Sequence, residues 1–253
     1  FNQLLNILQF PSIKYSQKDY FNFNDAAKNW VDNQKIFFDK ENFRFLKTHN
    51  TLNDFQGANF TTSKQTLGAI YIVRDPRNVF SSLKNHFSMN DDETMKMILD
   101  ETRGLIARQG IYSSFSYISS WSKHYMSWVK SKNQFRKLVI RYEDLLTNKY
   151  ETFRDIIVFT NTLLNRTERV DKQKLQKAIE TTDFNTLKNK EIKEGLDKSV
   201  TTFKKWRNIH KENKNLFFNL GPDNDWKKFL DKKLVNKIEE KFSKEMKELE
   251  YLK

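Results

Sequence analysis

The chain has 253 residues, which is enough for one large α/β domain or two small ones with a substantial core. Its formal charge of +13 predicts attraction to anions, but it does not distinguish nucleotides, acidic glycans, nucleic acid and anionic membranes from one another. Cysteine is absent, which excludes disulfides and thiolate metal sites and favours a reducing cytoplasm, and no apolar run reaches membrane-spanning length.

No internal boundary is visible in the sequence. Glycine occurs 6 times and proline 3 times, and no Gly-, Ser- or Pro-rich linker divides the chain. Lysines are spread over the whole chain rather than clustered on one element with interleaved aromatic residues, which disfavours a nucleic-acid-binding protein. We therefore predict one domain over residues 1–253, with no nucleic-acid partner and no membrane span.

The first forty residues predict two helices. Residues 1–10 have the spacing of a short amphipathic helix, and residues 25–40 that of a second helix carrying Trp30, Phe37 and Phe38. A stripe of aromatic side chains such as this one most often packs in the core. In an enzyme, the alternative is that these side chains line an acceptor pocket.

Residues 43–47 alternate like a strand and run into Lys47, Thr48 and His49. A neutral imidazole, with an unperturbed pKa of about 6.5, can take a proton from a hydroxyl or amine, and an ammonium group can balance negative charge on a transferred group. This pair therefore suits group transfer. Taken alone, a histidine in this position is more often a surface residue that caps a loop.

The best-defined element begins with the apolar run Gly68–Val73, which predicts a strand buried on both faces of a parallel sheet. Asp75 and Pro76 then have the chemistry of an N-cap and a first helical residue, and apolar residues recur at helical spacing as far as Phe87. Arg74 lies between strand and helix, where ligands of open α/β sheets and anions bind. The alternative is an arginine that pairs with a neighbouring aspartate.

The rest of the chain predicts mainly helices. We expect them over residues 90–111, 116–132, 143–163, 171–179 and 228–253, with a buried strand over residues 137–142 and a basic, poorly patterned stretch over residues 188–214.

The segments around Arg74 and around Lys47 and His49 resemble parts of the sulfotransferases that use 3′-phosphoadenosine 5′-phosphosulfate (PAPS). The stretch YIVRDPRNVFSS resembles the family's 3′-phosphate-binding segment, which implies that Arg74 and Ser82 hold the cofactor's 3′-phosphate. The K-T-H segment implies that His49 is the catalytic base and that Lys47 stabilises the bridging and leaving oxygens.

Three further segments follow in the family's order. His124 stands in a W-x-x-H-x-x-x-W pattern, where we interpret it as a structural or pocket-wall residue. Tyr142, in Y-E-D-L, is implied to contact the adenine, and Thr182 and Phe184, in T-D-F, resemble a T-S-F segment that embraces the base. Gly221 belongs to a segment similar to the R-K-G…G-D-W-K loop that closes over the cofactor.

The chain departs from the family pattern in this loop. Asn219 and Leu220 stand where the family supplies an arginine and a lysine to the 3′-phosphate. Each lost charge-assisted contact removes roughly 1.5–3 kcal/mol. Either Lys211, Lys214 or Lys227 compensates, or cofactor affinity is weak.

A second departure is that nothing before Lys47 resembles the family's first strand and its P-K-S-G-T-T-W-like phosphate loop. We therefore expect this strand and loop to be missing, either because the polypeptide begins further upstream or because another segment has rebuilt the place. An open sheet edge beside residues 43–47 and 68–73 is the structural expectation.

The resemblance implies an α/β, P-loop-NTPase-like sulfotransferase fold with a central parallel sheet flanked by helices. It also implies transfer of a sulfuryl group from PAPS to a hydroxyl or amine of a small-molecule or glycan acceptor. No metal is expected, because the sequence shows no carboxylate cluster to hold one. The alternatives are a catalytically weakened relative that binds a nucleotide or an acidic glycan, and a nucleotide kinase of similar fold. The oligomeric state is left open.

Overall fold

The computed structural model describes residues 8–9, 13–14, 23–35, 43–109, 112–131, 135–194 and 220–253. Within these ranges the strands are β1 (Leu8–Gln9), β2 (Ile13–Lys14), β3 (Leu46–Lys47), β4 (Gly68–Val73), β5 (Gly104–Gln109), β6 (Tyr112–Tyr117) and β7 (Arg136–Arg141). The helices are α1 (Phe23–Lys28), α2 (Trp30–Gln34), α3 (Pro76–Phe87), α4 (Asp91–Leu99), α5 (Trp121–Val129), α6 (Tyr142–Thr147), α7 (Lys149–Leu163), α8 (Lys172–Thr181), α9 (Phe184–Glu194), α10 (Trp226–Phe229) and α11 (Lys232–Glu248), with a 3₁₀ turn at Gly221–Asp223.

The chain divides into two compact units. The first contains residues 1–69 and 100–137, and the second contains residues 70–99 and 138–253. No helix in the described ranges is both long enough and apolar enough to cross a membrane.

The first unit contains two small sheets. β1 pairs in parallel with β3, with Leu8 opposite Leu46 and Gln9 opposite Lys47, and β6 lies between β2 and β5 in an antiparallel sheet. The helix predicted for residues 1–10 is therefore wrong at Leu8–Gln9. Beside residues 43–47, where an open edge was expected, β1 from the first forty residues occupies one side of β3.

The core of the first unit is aromatic. Trp30 is 1% exposed, stacks on Phe115 with 5.8 Å between ring centroids, and donates a hydrogen bond from Nε1 to the Phe115 carbonyl at 3.2 Å. An indole is well placed in a core when its N–H finds an acceptor. Of the two interpretations of this side chain, the structure supports core packing; Phe37 and Phe38 lie outside the described residues.

The helices predicted over residues 90–111 and 116–132 are confirmed only at Asp91–Leu99 and Trp121–Val129, because the antiparallel pair β5–β6 takes up residues between them. Helix α4 ends at Leu99, and the Asp100 carboxylate then accepts hydrogen bonds from the N–H and the hydroxyl of Thr102 (2.8 and 2.7 Å), which closes a turn. Ser120 caps α5 by accepting from the Lys123 N–H. The predicted helices were therefore too long, since they included the residues that form β5 and β6. The hydrogen bonds at Asp100 and Ser120 mark where α4 ends and where α5 begins.

The second unit is built around the pair β4–β7 and its helices. The observed bounds Gly68–Val73 confirm the position of the predicted strand, and β7 lies one residue earlier than predicted. The predicted burial is wrong: only Val73 of β4 and only Ile140 of β7 are buried, and Ile72 and Val139 are exposed. Helix α3 packs on α4 and on α11, with Phe80 and Ile238 fully buried. Helix α9 continues to Glu194, so the first residues of the stretch predicted to be unpatterned are helical.

Candidate active site

The chain that follows β3 is held by buried hydrogen bonds within the first unit. The Thr51 N–H donates to the Tyr117 carbonyl, and Asn50 Oδ1 accepts from the Tyr117 N–H, both at 2.7 Å. The Asn50 carbonyl accepts from Trp128 Nε1 at 3.0 Å. Asn50 and Thr51 are 1% and 0% exposed, so the main chain just beyond the K-T-H segment is fixed to both β6 and α5.

Ser127 of α5 completes this attachment. Its Oγ accepts from Thr51 Oγ1 (2.7 Å) and from the Leu52 N–H (2.9 Å), and it donates to the His124 carbonyl (2.7 Å). A single hydroxyl thus satisfies two buried donors. Sequence patterns did not identify Asn50, Thr51 or Ser127, because their partners lie 67 to 76 positions away along the chain.

His124 lies against the K-T-H segment. Its Nε2 donates to the main-chain carbonyl of His49 at 3.3 Å, since a carbonyl oxygen can only accept. Burial lowers the pKa of His124 to about 4; the bond to His49 opposes this shift, and the charge of Arg103 adds to it. His124 is therefore neutral at pH 7 and supports the main chain at His49.

The pKa of His49 is shifted in the direction that proton abstraction needs. Burial lowers the pKa of Lys47, and burial followed by the charge of Lys47 lowers the pKa of His49. Both residues keep an exposed surface, yet the protein packed around them is enough to disfavour the charged imidazole. His49 is consequently neutral and accessible at pH 7, as a general base must be.

In the second unit, the turn from β4 to α3 has the predicted chemistry. Asp75 is the N-cap and accepts from the Arg77 N–H, and Pro76 is the first helical residue. The Asp75 carboxylate also receives Arg77 Nε and Nη2, and Arg77 Nη1 binds Glu239. The sequence left open whether Arg74 pairs with the neighbouring aspartate; that aspartate binds Arg77 instead.

Arg74 lies at the end of β4 and contacts two other elements of the second unit. Its Nη2 donates to the Gly221 carbonyl at 3.3 Å, and its Cζ lies 4.3 Å from the centroid of the Tyr142 ring. A guanidinium is planar, and its fork of N–H groups matches the geometry of a phosphate or carboxylate. Arg74, Tyr142 and Gly221, which the sequence assigned separately to a cofactor, are therefore in one place.

Phe184 joins the same cluster through Gly221. Gly221 has φ of +52°, and a Cβ built on it would lie 2.1 Å from Cε2 of the Phe184 ring. Only glycine permits both this left-handed backbone and this close approach. The Thr182 hydroxyl donates to the Ala178 carbonyl at 2.6 Å, so it is used to close α8 rather than to contact Arg74.

Ser82 is tied to the segment after Gly221 by a residue that the sequence did not single out. Asn224 Nδ2 donates to Ser82 Oγ at 2.8 Å, and the Trp226 N–H donates to Asn78 Oδ1 at 2.9 Å. Asn224 replaces the second glycine of the loop pattern, and this departure is the signal that could have identified it. The segment from Gly221 to Trp226 therefore connects the residues around Arg74 with Asn78 and Ser82 of α3.

Glu143 and Tyr251, beside this cluster, have structural roles. Glu143 Oε1 accepts from the Asp75 N–H at 3.2 Å and its Oε2 accepts from the Tyr251 hydroxyl at 2.7 Å. Burial and the bond to Glu143 raise the pKa of Tyr251, so the phenol stays protonated. Leu220 begins the 3₁₀ turn without bringing a charge, whereas Asn219, Lys211 and Lys214 lie outside the described residues. The described part of the chain has no His, Cys, Asp and Glu group that could hold a metal ion.

Comparisons with known proteins agree with this architecture. The chain resembles the crystal structure of mouse sulfotransferase SULT7A1 complexed with PAP, with a TM-score of 0.58 and 18% identity over 95% of this chain and 74% of that one. It also resembles retinol dehydratase in complexes with androsterone and PAP and with retinol and PAP, each with a TM-score of 0.52 and 16% identity over 92% of this chain and 67% of that one. These likenesses confirm the predicted α/β, P-loop-like sulfotransferase fold.

A search of curated proteins finds no significant match. A family model is more specific than the fold: the model of the sulfotransferase domain matches residues 8–250, which is nearly the whole chain. With the K-T-H and phosphate-type segments in the family's order, this match confirms the resemblance seen in the sequence, and the chain belongs to the sulfotransferase domain family.

Proposed function

We propose that this protein transfers a sulfuryl group from PAPS to a hydroxyl or amine of a small-molecule or glycan acceptor. The observation that carries the proposal is the cluster at the end of β4. There Arg74 lies on Tyr142 and against Gly221, and Asn224 links the same segment to Ser82. A guanidinium beside a capped helix N-terminus and a hydroxyl further along the same helix are donors that suit a phosphate dianion.

Each residue has a distinct role in this proposal. Arg74 and Ser82 bind the 3′-phosphate, Tyr142, Thr182 and Phe184 hold the adenine, and Gly221 lies in the loop that closes over the cofactor. PAPS supplies the sulfuryl group. The residues of this chain orient it and balance its charge, which is the main contribution of a protein to in-line group transfer.

The first unit supplies the proton chemistry. His49, neutral at pH 7, takes the proton of the acceptor hydroxyl or amine at its imidazole. Lys47 stabilises negative charge on the bridging and leaving oxygens. The neutral His124 holds the His49 main chain, which keeps the position of the base independent of pH above the pKa of His124. The androsterone and retinol in the retinol dehydratase structures support a small molecule as acceptor.

A second candidate function, nucleotide binding without turnover, is favoured by Leu220. This uncharged residue stands where the family loop has a cation, so phosphate affinity in this chain depends more heavily on Arg74. Measuring nucleotide binding and then acceptor-dependent turnover separates the two functions, because only the first function includes turnover.

The binding experiment compares 3′-phosphoadenosine 5′-phosphate (PAP) with adenosine 5′-phosphate by calorimetry. Arg74→Ala should weaken PAP binding about 10- to 150-fold, the equivalent of roughly 1.5–3 kcal/mol for a hydrogen bond to a charged group, and should change adenosine 5′-phosphate binding little. Arg154→Ala, an exposed arginine on α7, is the matched control. Equal losses for both nucleotides would show that Arg74 is structural only.

A further inference from the structure

Asn224 uses every hydrogen-bond donor that its side chain has. It is 6% exposed, and its Nδ2 donates to the Asn78 carbonyl at 3.0 Å and to Ser82 Oγ at 2.8 Å. Its Oδ1 accepts from Ser81 Oγ at 2.8 Å. The orientation of the amide is fixed, because the opposite one would place two acceptors, Oδ1 and the Asn78 carbonyl, against each other.

This pattern excludes Asn224 from direct contact with a phosphate. An anion needs donors, and both N–H groups of the amide are already committed within the protein. Any effect of Asn224 on a ligand therefore passes through the groups that it binds.

Ser82 is the group through which it acts. A hydroxyl has one donor and two acceptor sites, and the bond from Asn224 occupies one of the acceptor sites of Ser82. The Ser82 O–H proton is then directed away from Asn224. A hydroxyl that accepts one hydrogen bond is also polarised into a better donor.

We propose that Asn224 is a positioning residue that directs and strengthens the Ser82 O–H as a donor to the 3′-phosphate of the nucleotide. This inference rests on the proposed function, because it specifies how one residue of the nucleotide site is prepared. It also gives a physical reason for asparagine in a loop whose family pattern has glycine. A neutral amide provides here, through Ser82, part of the phosphate affinity that Asn219 and Leu220 do not supply.

The test measures 3′-phosphate selectivity, defined as the dissociation constant of adenosine 5′-phosphate divided by that of PAP, on the full chain. Asn224→Ala should lower this selectivity about three- to tenfold, the effect of one neutral hydrogen bond, with little change in adenosine 5′-phosphate affinity. Ser82→Ala should lower it more. The double variant should equal Ser82→Ala alone, because Asn224 acts through that hydroxyl.

Asn224→Asp is the second variant, chosen because it keeps the side-chain shape. It loses the donor to Ser82 and adds a negative charge, so its selectivity should fall below that of Asn224→Ala. The matched control is Asn236→Ala, an exposed asparagine on α11, which should leave selectivity unchanged. Thermal unfolding of each variant identifies those that do not fold.

The possible failures are distinguishable. Wild-type protein that binds both nucleotides equally would refute the proposed function and this inference with it. Wild-type selectivity that survives in Asn224→Ala and Asn224→Asp would refute the inference alone. So would additive losses in the double variant, or equal losses for both nucleotides, which would show that Asn224 only shapes the loop.

Discussion

Replacing Gly221 with alanine would place a methyl group against the ring of Phe184. The Cβ would lie 2.1 Å from the ring carbon Cε2 and 2.4 Å from Cζ. Ordinary carbon–carbon contacts are about 3.5–4.0 Å, so the ring must retreat by more than about 1 Å. The φ of +52° adds a separate backbone penalty, because side chains other than glycine are strained there.

The two penalties have different sizes and can be measured apart. The left-handed backbone costs roughly 1–2 kcal/mol. Overpacking typically costs about 1–3 kcal/mol. We therefore expect Gly221→Ala to lower the free energy of unfolding by about 2–5 kcal/mol. Gly57→Ala is the matched control, since Gly57 has φ of +83° and nothing within 4 Å of its built Cβ. It should show the backbone penalty alone.

Denaturant unfolding and PAP calorimetry test this expectation together. Displacement of Phe184 should weaken PAP binding in Gly221→Ala and leave it unchanged in Gly57→Ala. In a Phe184→Ala background the same glycine substitution should cost only the backbone penalty, so the double-mutant cycle should be non-additive. A loss in Gly221→Ala no larger than in Gly57→Ala, or one that persists undiminished without the Phe184 ring, would refute the reasoning.

Two further predictions concern the first unit. Ser127→Ala leaves two buried donors unsatisfied, Thr51 Oγ1 and the Leu52 N–H. The free energy of unfolding, measured in urea, should fall by roughly 1–3 kcal/mol for each of them. A loss below about 0.5 kcal/mol would contradict the anchoring role of Ser127. The pKa of His124 is about 6.5 in the unfolded chain and about 4 in the folded one. Between these two pH values the unfolded state binds more protons than the folded state. The free energy of unfolding should therefore fall as the pH is lowered from about 6.5 to about 4, by up to about 3 kcal/mol. His124→Gln should flatten this part of the unfolding profile, and an unchanged profile would show that His124 is not the group responsible.

Local chemistry explains what the sequence could predict. The strand Gly68–Val73, the Asp75 cap and Pro76 at the first helical position all depend on residues adjacent in the chain, and the structure confirms each of them. The K-T-H segment also ends a strand as expected, although that strand contains only Leu46–Lys47. The family and the fold followed from the order of these local segments.

Long-range contacts explain what the sequence could not predict. Asn224 binds Ser82 from 142 positions away, and Arg74 reaches Gly221 from 147 positions away. Neither pairing leaves a periodic signal in the sequence. The pairing of β5 with β6 was missed for a different reason. The apolar residues that precede β5 fit a helical period, and the turn that ends the helix is made by the side chain of Asp100.

The most direct test of the account is sulfuryl transfer from labelled PAPS to a panel of small hydroxyl- and amine-bearing acceptors, with PAP release as the readout. Wild-type protein should release PAP only when an acceptor is present. His49→Ala should lose about 100-fold or more of this rate, the usual contribution of a general base, while PAP affinity stays within about twofold. His86→Ala, which alters a histidine outside the proposed site, should keep the wild-type rate. PAP binding without any acceptor-dependent release by the wild-type protein, or near-wild-type turnover in His49→Ala, would contradict the account.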